Sequence, residues 1–234
     1  MGSVATAAHT RDNSSVSARL EKQLLIWIAH LLPRAINSDH LSTLGLASMA
    51  LAGLSFAAFR LTPWAAAGVV VALVLNWFGD SLDGTVARVR DQQRPRYGFY
   101  VDHVIALVGT TMLLAGLGCS GLMHALMAAA VLATYLLVSS ESFLATHAVG
   151  VFRMSFVGVG PTELRLLLIA GALRAAQSAW VEPFGYAPIR LFDLGGVAGV
   201  VELLLAFVVS SVRNTRVLYV AEPVPVMRDT QRAA

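Results

Sequence analysis

Between Leu41 and Val212 the chain alternates long apolar runs with short polar breaks. The runs are about 17 to 25 residues, the length a helix needs to cross roughly 30 Å of hydrocarbon. The pattern predicts six membrane spans: Leu41 to Phe59, Trp64 into Asp80 and Asp83, Phe99 to Gly118, Leu122 to Val149, Leu164 to Ala179, and Leu194 to Val212. Upstream, Ser17 to Ala35 spaces Leu20, Leu24, Ile28 and Leu31 along one side of a helix, with Arg19, Glu21 and Lys22 near its start. That amphipathic segment carries Trp27, stops at Pro33, and is expected to lie in the headgroup layer rather than to cross. The fold class is therefore all-α: a polytopic membrane protein of six transmembrane helices behind an N-terminal amphipathic interfacial helix. Residues 1–16 are small and polar and predict a disordered tail, 17–36 the interfacial helix, 37–213 the membrane domain and 214–234 a cytoplasmic tail.

Local signals refine the boundaries. Asn37, Ser38 and Asp39 are cap-type residues ahead of the first span, and Pro161 with Glu163 suits the first turn of the fifth. Gly45, Ala47, Ala50, Ala52 and Gly53 keep the first span narrow enough for close packing, which lipid does not drive by itself. Val89 to Tyr97 contains Pro95 and is expected to be a loop or a broken helix end, and Trp180 to Asp193 a polar connection.

Composition removes the soluble alternative. Hydrophobic residues make up 56% of the 234 and charged residues only 13%, with a mean hydropathy of +0.68. The net charge of +3, from 17 basic and 14 acidic residues, is too small and dispersed for a nucleic-acid partner. A single cysteine, Cys119, excludes an intramolecular disulfide and a thiolate metal cluster. Arg88, Arg90, Arg94, Arg96, Arg153, Arg165, Arg213 and Arg216 fall on one side of a six-span layout, against Arg60, Arg174 and Arg190 on the other. The arginine-rich side is expected to face the cytoplasm, with both termini inward; a bacterial inner membrane is the expected location.

Against this background the stretch Asn76 to Ala106 stands out, because it sets Asp80, Asp83, Asp91 and Asp102 at the edge of apolar sequence. An ionised side chain in hydrocarbon costs at least about 2.5 kcal/mol, so such acids need a polar cavity, a partner or a metal. Asp80 and Asp83 are spaced to share one helix face, with Ala87 a turn further on. Hard oxygen ligands suit Mg²⁺, Mn²⁺ or Ca²⁺, and paired ions are the usual means of neutralising a diphosphate. Gly84 and Ala87 leave room for a ligand near the backbone, and Arg88 can grip phosphate with two parallel hydrogen bonds. The bland alternative is a pair of helix-end acids partnered by Arg88 and Arg90.

Taken in register, Asp80, Asp83, Gly84, Ala87, Arg88, Gly98 and Asp102 resemble the signature of the CDP-alcohol phosphotransferases, D-x-x-D-G-x-x-A-R followed by G-x-x-x-D-x-x-x-D. The six-span layout, the interfacial helix and the NSDHLSTLGL run into the first span are also similar to that family. The resemblance implies transfer of a phosphoalcohol, phosphatidyl, group from a CDP-linked lipid donor, with CDP-diacylglycerol preferred, to an acceptor alcohol, releasing CMP in phospholipid synthesis. It implies two divalent cations, Mg²⁺ or Mn²⁺, held by Asp80, Asp83 and Asp102, and a homodimer. Asp80, Asp83, Gly84, Ala87, Arg88 and Gly98 would shape the nucleotide pocket, and Glu163 and Arg165 would sit near the acceptor.

One position departs from the signature. Its fourth aspartate, the family's supposed general base, falls at Ala106, which can neither accept a proton nor bind a metal. An inactivating replacement, drift to a binding protein, and use of another base such as His103 all remain open. His103 follows Asp102 directly and so points about 100° away from it on a helix. Two other function classes stand beside the enzyme: a silent CDP-lipid binder and a small-solute transporter, although the acids gather at one interface rather than at mid-membrane. Arg90, Arg94 and Arg96 read as topology signals or lipid-phosphate contacts, and His124 and His147 as interfacial or packed side chains. Asn76, Ser140 and Glu141 are expected to bond between helices.

Overall fold

The computed structural model describes residues 16–150, 160–185 and 187–224. The expected tail over 1–15, Arg153 and residues 225–234 lie outside the described residues. Among the described residues the chain forms α1 (Val16–Leu31), α2 (Ser38–Ala57), α3 (Ala65–Val89), α4 (Pro95–Cys119), α5 (Ala125–Val149), α6 (Pro161–Ala175) and α7 (Leu191–Ala221). A short antiparallel hairpin, β1 (Trp180–Val181) with β2 (Ile189–Arg190), lies within the expected polar connection between α6 and α7.

Among the described residues five helices are long and apolar enough to cross a membrane: α2 with the turn after it, α3, α4, α5 and α7. The expected fifth span is the exception. α6 has 15 residues, which at about 1.5 Å per residue falls short of a roughly 30 Å core. It begins at Pro161 and carries Glu163, Arg165 and Arg174, so both its length and its hydropathy are reduced. Conversely α7 runs past Arg213 through Asn214 to Ala221, so the start of the expected tail is helical. Pro95 does not break α4 either. It occupies the first turn, where its missing N–H has no helical partner to lose.

α2 is the hub, packed against both α3 and α4. Its start is fixed by the expected cap: Asn37 Oδ1 accepts from the His40 amide at 3.0 Å, and His40 Nδ1 accepts from the Asn37 amide. The contacts depend on missing side chains. A Cβ at Gly79 would lie 2.6 Å from the Leu41 carbonyl oxygen, and one at Gly116 would collide with the Gly53 backbone. Of the small residues singled out on α2, Gly45, Ala52 and Gly53 are buried, whereas Ala47 faces outward. Phe56, Val69, Ala72, Leu73 and Leu117 fill the core between these helices.

α1 leans on the end of α3. Leu25 and Ala29 are buried there with Leu41, Leu82 and Val86, while Leu24 and Leu31 of the expected stripe are exposed, as is Trp27. Ile28 of that stripe packs against the same cluster, so α1 turns one side to α3 and leaves Leu24, Trp27 and Leu31 facing outward. Arg90 completes the joint by donating to the carbonyls of Ile36, Leu32 and Pro33 at 2.5, 2.9 and 3.2 Å. It therefore caps the end of α1 rather than serving only as a topology signal.

Candidate active site

α3 does not stop at Gly79 but carries Asp80, Asp83, Gly84, Ala87 and Arg88 on one continuous helix. α4 brings Asp102 back across the turn, and one pocket is lined by Asp80, Asp83, Asp102, Ser42, Gly45, Asn76 and Ile105. The three acids of the signature are thus brought together at one end of the bundle. Asp83 is the buried member, at 7% exposure. Both of its oxygens are held: Ser42 Oγ donates to Oδ2 at 2.8 Å, and the Gly84 amide to Oδ1 at 2.5 Å. Asp80 and Asp102 are exposed toward the pocket mouth.

A cation reaches in from a fourth helix. Arg165, in the first turns of α6, donates through Nη2 to Asp80 Oδ2 at 2.5 Å and through Nε to Asn76 Oδ1 at 2.8 Å. Asn76 in turn donates through Nδ2 to the Gly45 carbonyl at 3.0 Å, so it links α2, α3 and α6. The expectation that Asn76 bonds between helices is met. Glu141 also bonds between helices, accepting from Asn214 Nδ2 at 2.8 Å, but in a separate groove between α5 and α7. Ser140 instead donates to its own helix at Leu136.

Other signature positions stand around the pocket without lining it. Arg88 is exposed and donates to Thr85 Oγ1 at 3.1 Å. A Cβ at Gly84 would meet the Arg88 guanidinium at 3.4 Å, so glycine there keeps space beside the arginine, and a Cβ at Gly98 would meet nothing. Ala87 is half-buried. Ala106 is exposed one turn beyond Asp102. His103 turns away from the acids: its Nδ1–H donates to the Phe99 carbonyl at 2.5 Å, and its ring packs against Phe99 and against Phe143 of α5. Glu163 is exposed at the start of α6 beside Gly160 and does not line the pocket.

A family profile described as CDP-alcohol phosphatidyltransferase matches residues 40–210. The chain belongs to that family. Its fold is also similar to that of a phosphatidylinositol phosphate synthase from Mycobacterium tuberculosis solved with CDP-DAG bound. That similarity has a TM-score of 0.56 at 19% identity, and it covers 88% of this chain and 99% of the other. No curated protein matches the sequence.

In this member of the family, Ser42, Gly45, Asn76 and Ile105 are the pocket residues that the sequence reading did not assign to the site. Gly45 read as a packing residue and Ser42 carried no signal of its own; only the return of α3 alongside α2 makes them neighbours of acids. The lining contains three carboxylates, two neutral polar side chains and no lysine, a hard-oxygen set that fits a divalent cation. The set is not drawn closed. Among the described residues no three His, Cys, Asp or Glu side chains are near enough to grip one ion. Like charges separate the acids, and each of two already has its own donors: Asp83 has Ser42 and Gly84, and Asp80 has Arg165.

Proposed function

We propose that this chain transfers the phosphatidyl group of a CDP-linked lipid, CDP-diacylglycerol, to the hydroxyl of a small alcohol or lipid acceptor, with release of CMP. The observation that carries the reading is the meeting of Asp80, Asp83 and Asp102, in signature register, in one pocket at the end of an apolar helix bundle. Carboxylates of this kind hold divalent cations, Mg²⁺ or Mn²⁺, which when bound offset the charge of a diphosphate. Asp80, Asp83 and Asp102 would supply the ligands, Ser42 and the Gly84 amide fix the Asp83 carboxylate, and Arg88, exposed at the pocket rim beside Thr85, would pair with phosphate. Gly84 and Gly98 keep that rim open to the nucleotide, with Ala87 between. Arg165, reaching in from α6, borders the side from which an acceptor enters.

The reading includes six crossings, with α6 counted as the fifth, and α1 as an interfacial helix. It also includes a site facing the cytoplasm of a bacterial inner membrane and a homodimeric assembly. What supports the orientation is the arginine content of the site end, where Arg88, Arg90, Arg94, Arg96 and Arg165 gather.

Ala106 favours a second reading, a CDP-lipid binder that does not turn over. The two are separated by incubating the purified chain with CDP-diacylglycerol, Mg²⁺ and a panel of acceptors, glycerol phosphate, inositol phosphate, inositol and serine among them, and measuring CMP. The transferase reading expects CMP that depends on acceptor and disappears in Asp83→Asn. Metal-dependent binding of the donor with no CMP from any acceptor would leave the binder.

A further inference from the structure

Building on the transferase reading, we propose that the nucleotide-free chain holds one divalent cation at this site, the Arg165 guanidinium standing in for the charge of a second. Three carboxylates line the pocket, and Arg165 is bonded directly to one of them. Their sum, −3 and +1, is −2, which a single divalent cation balances. A second would leave a net +2 beside Asp83 and Arg165, the two enclosed charges of the site, where unbalanced charge is less well screened than in open water.

Further observations agree. The pocket encloses about 20 Å³, room on the order of one water or one ion. Arg165 is also no loosely tethered surface charge. Its side chain is 14% exposed while that of Asp80 is 52% exposed, so the guanidinium is the enclosed partner. Nε on Asn76 and Nη2 on Asp80 hold it at two points, and Asn76 is itself anchored to Gly45. Where a fourth carboxylate would join Asp102 on α4, Ala106 offers no oxygen. Because Arg165 occupies Asp80, the cation belongs on the Asp83 and Asp102 side of the pocket.

The test is a Mn²⁺ titration of the purified full chain in detergent micelles without nucleotide, with free Mn²⁺ read by electron paramagnetic resonance. The expected result is saturation at one Mn²⁺ per chain. Arg165→Gln, which removes a competing positive charge, should tighten Mn²⁺ binding about three- to tenfold. Arg165→Lys, which keeps the charge, should leave the affinity near that of the parent. Ala106→Asp should raise the stoichiometry to two. A purely structural Arg165 would give weaker binding on loss of the side chain, never tighter.

Two Mn²⁺ per parent chain would overturn the single-cation inference and leave the transferase reading standing. Unchanged or weaker binding in Arg165→Gln would overturn the role given to Arg165. No Mn²⁺ bound by any of the four chains would overturn the metal site itself. Parent stoichiometry and the Lys variant decide the matter even if Arg165→Gln does not fold.

Discussion

Two buried aspartates at opposite ends of the bundle show what separates an acid that holds the fold from one that serves chemistry. At the far end Asp193, in the first turn of α7 and 5% exposed, accepts from the His124 amide at 2.8 Å and from His124 Nδ1 at 2.5 Å. It ties the start of α7 to the start of α5, and among the described residues no other acid is hydrogen-bonded to that knot. Asp83 is almost as buried and equally well bonded, yet it shares a pocket with Asp80 and Asp102. A structural acid is matched one to one with donors. The acids of the site outnumber their cation, and the surplus negative charge is what a metal would use.

The largest expected effect enlarges that surplus. Ala106→Asp returns a fourth carboxylate to the turn after Asp102, and CMP release should rise about 10²- to 10⁴-fold, the usual worth of a positioned base. Thermal stability should not rise with it, because another acid at the site adds repulsion. An assay with Mg²⁺ and CDP-diacylglycerol that shows no gain would mean that the pocket acids do not act as a catalytic set.

The opposite end should respond in the opposite way. Asp193→Ala leaves the His124 amide at the start of α5 without its acceptor, and loss of such a buried partner costs about 1 to 3 kcal/mol. Thermal unfolding in detergent should occur at lower temperature, while CMP release per folded molecule stays near that of the parent. Loss of activity without loss of stability would erase the distinction between the two ends.

How much of this could be read beforehand follows the same line. The long helices were legible because each apolar run reports its own length, and the acids because the signature is local to α3 and α4. Contacts that need a distant partner were not: Ser42 with Asp83, Arg165 with Asp80 and Asn76, and Arg90 capping α1. His124 read as an interfacial or packed residue because Asp193 is far along the chain. Arg90, Arg94 and Arg96 look alike in sequence, and only the first reaches backbone carbonyls across helices. The six-span count was the weakest step, since α6 begins at a proline and carries charges that the apolar run after them hides.

The smallest expected effect tests whether burial, rather than mere pairing, makes the difference. Arg94 is paired with Asp39 and lies over the Tyr97 ring at 4.0 Å, at the same end as the site. The two side chains are 51% and 42% exposed, however, so water already stabilises both. Pairs of that kind are worth about 0.2 to 1 kcal/mol, and salt screens them. Arg94→Gln should therefore shift thermal unfolding slightly at low ionic strength, lose even that shift at high salt, and leave CMP release unchanged. If it cost as much as Asp193→Ala and kept that cost in salt, enclosure would not be what divides these acids. Bond count would then be the property to follow, and the site acids would have to be set apart by their number alone.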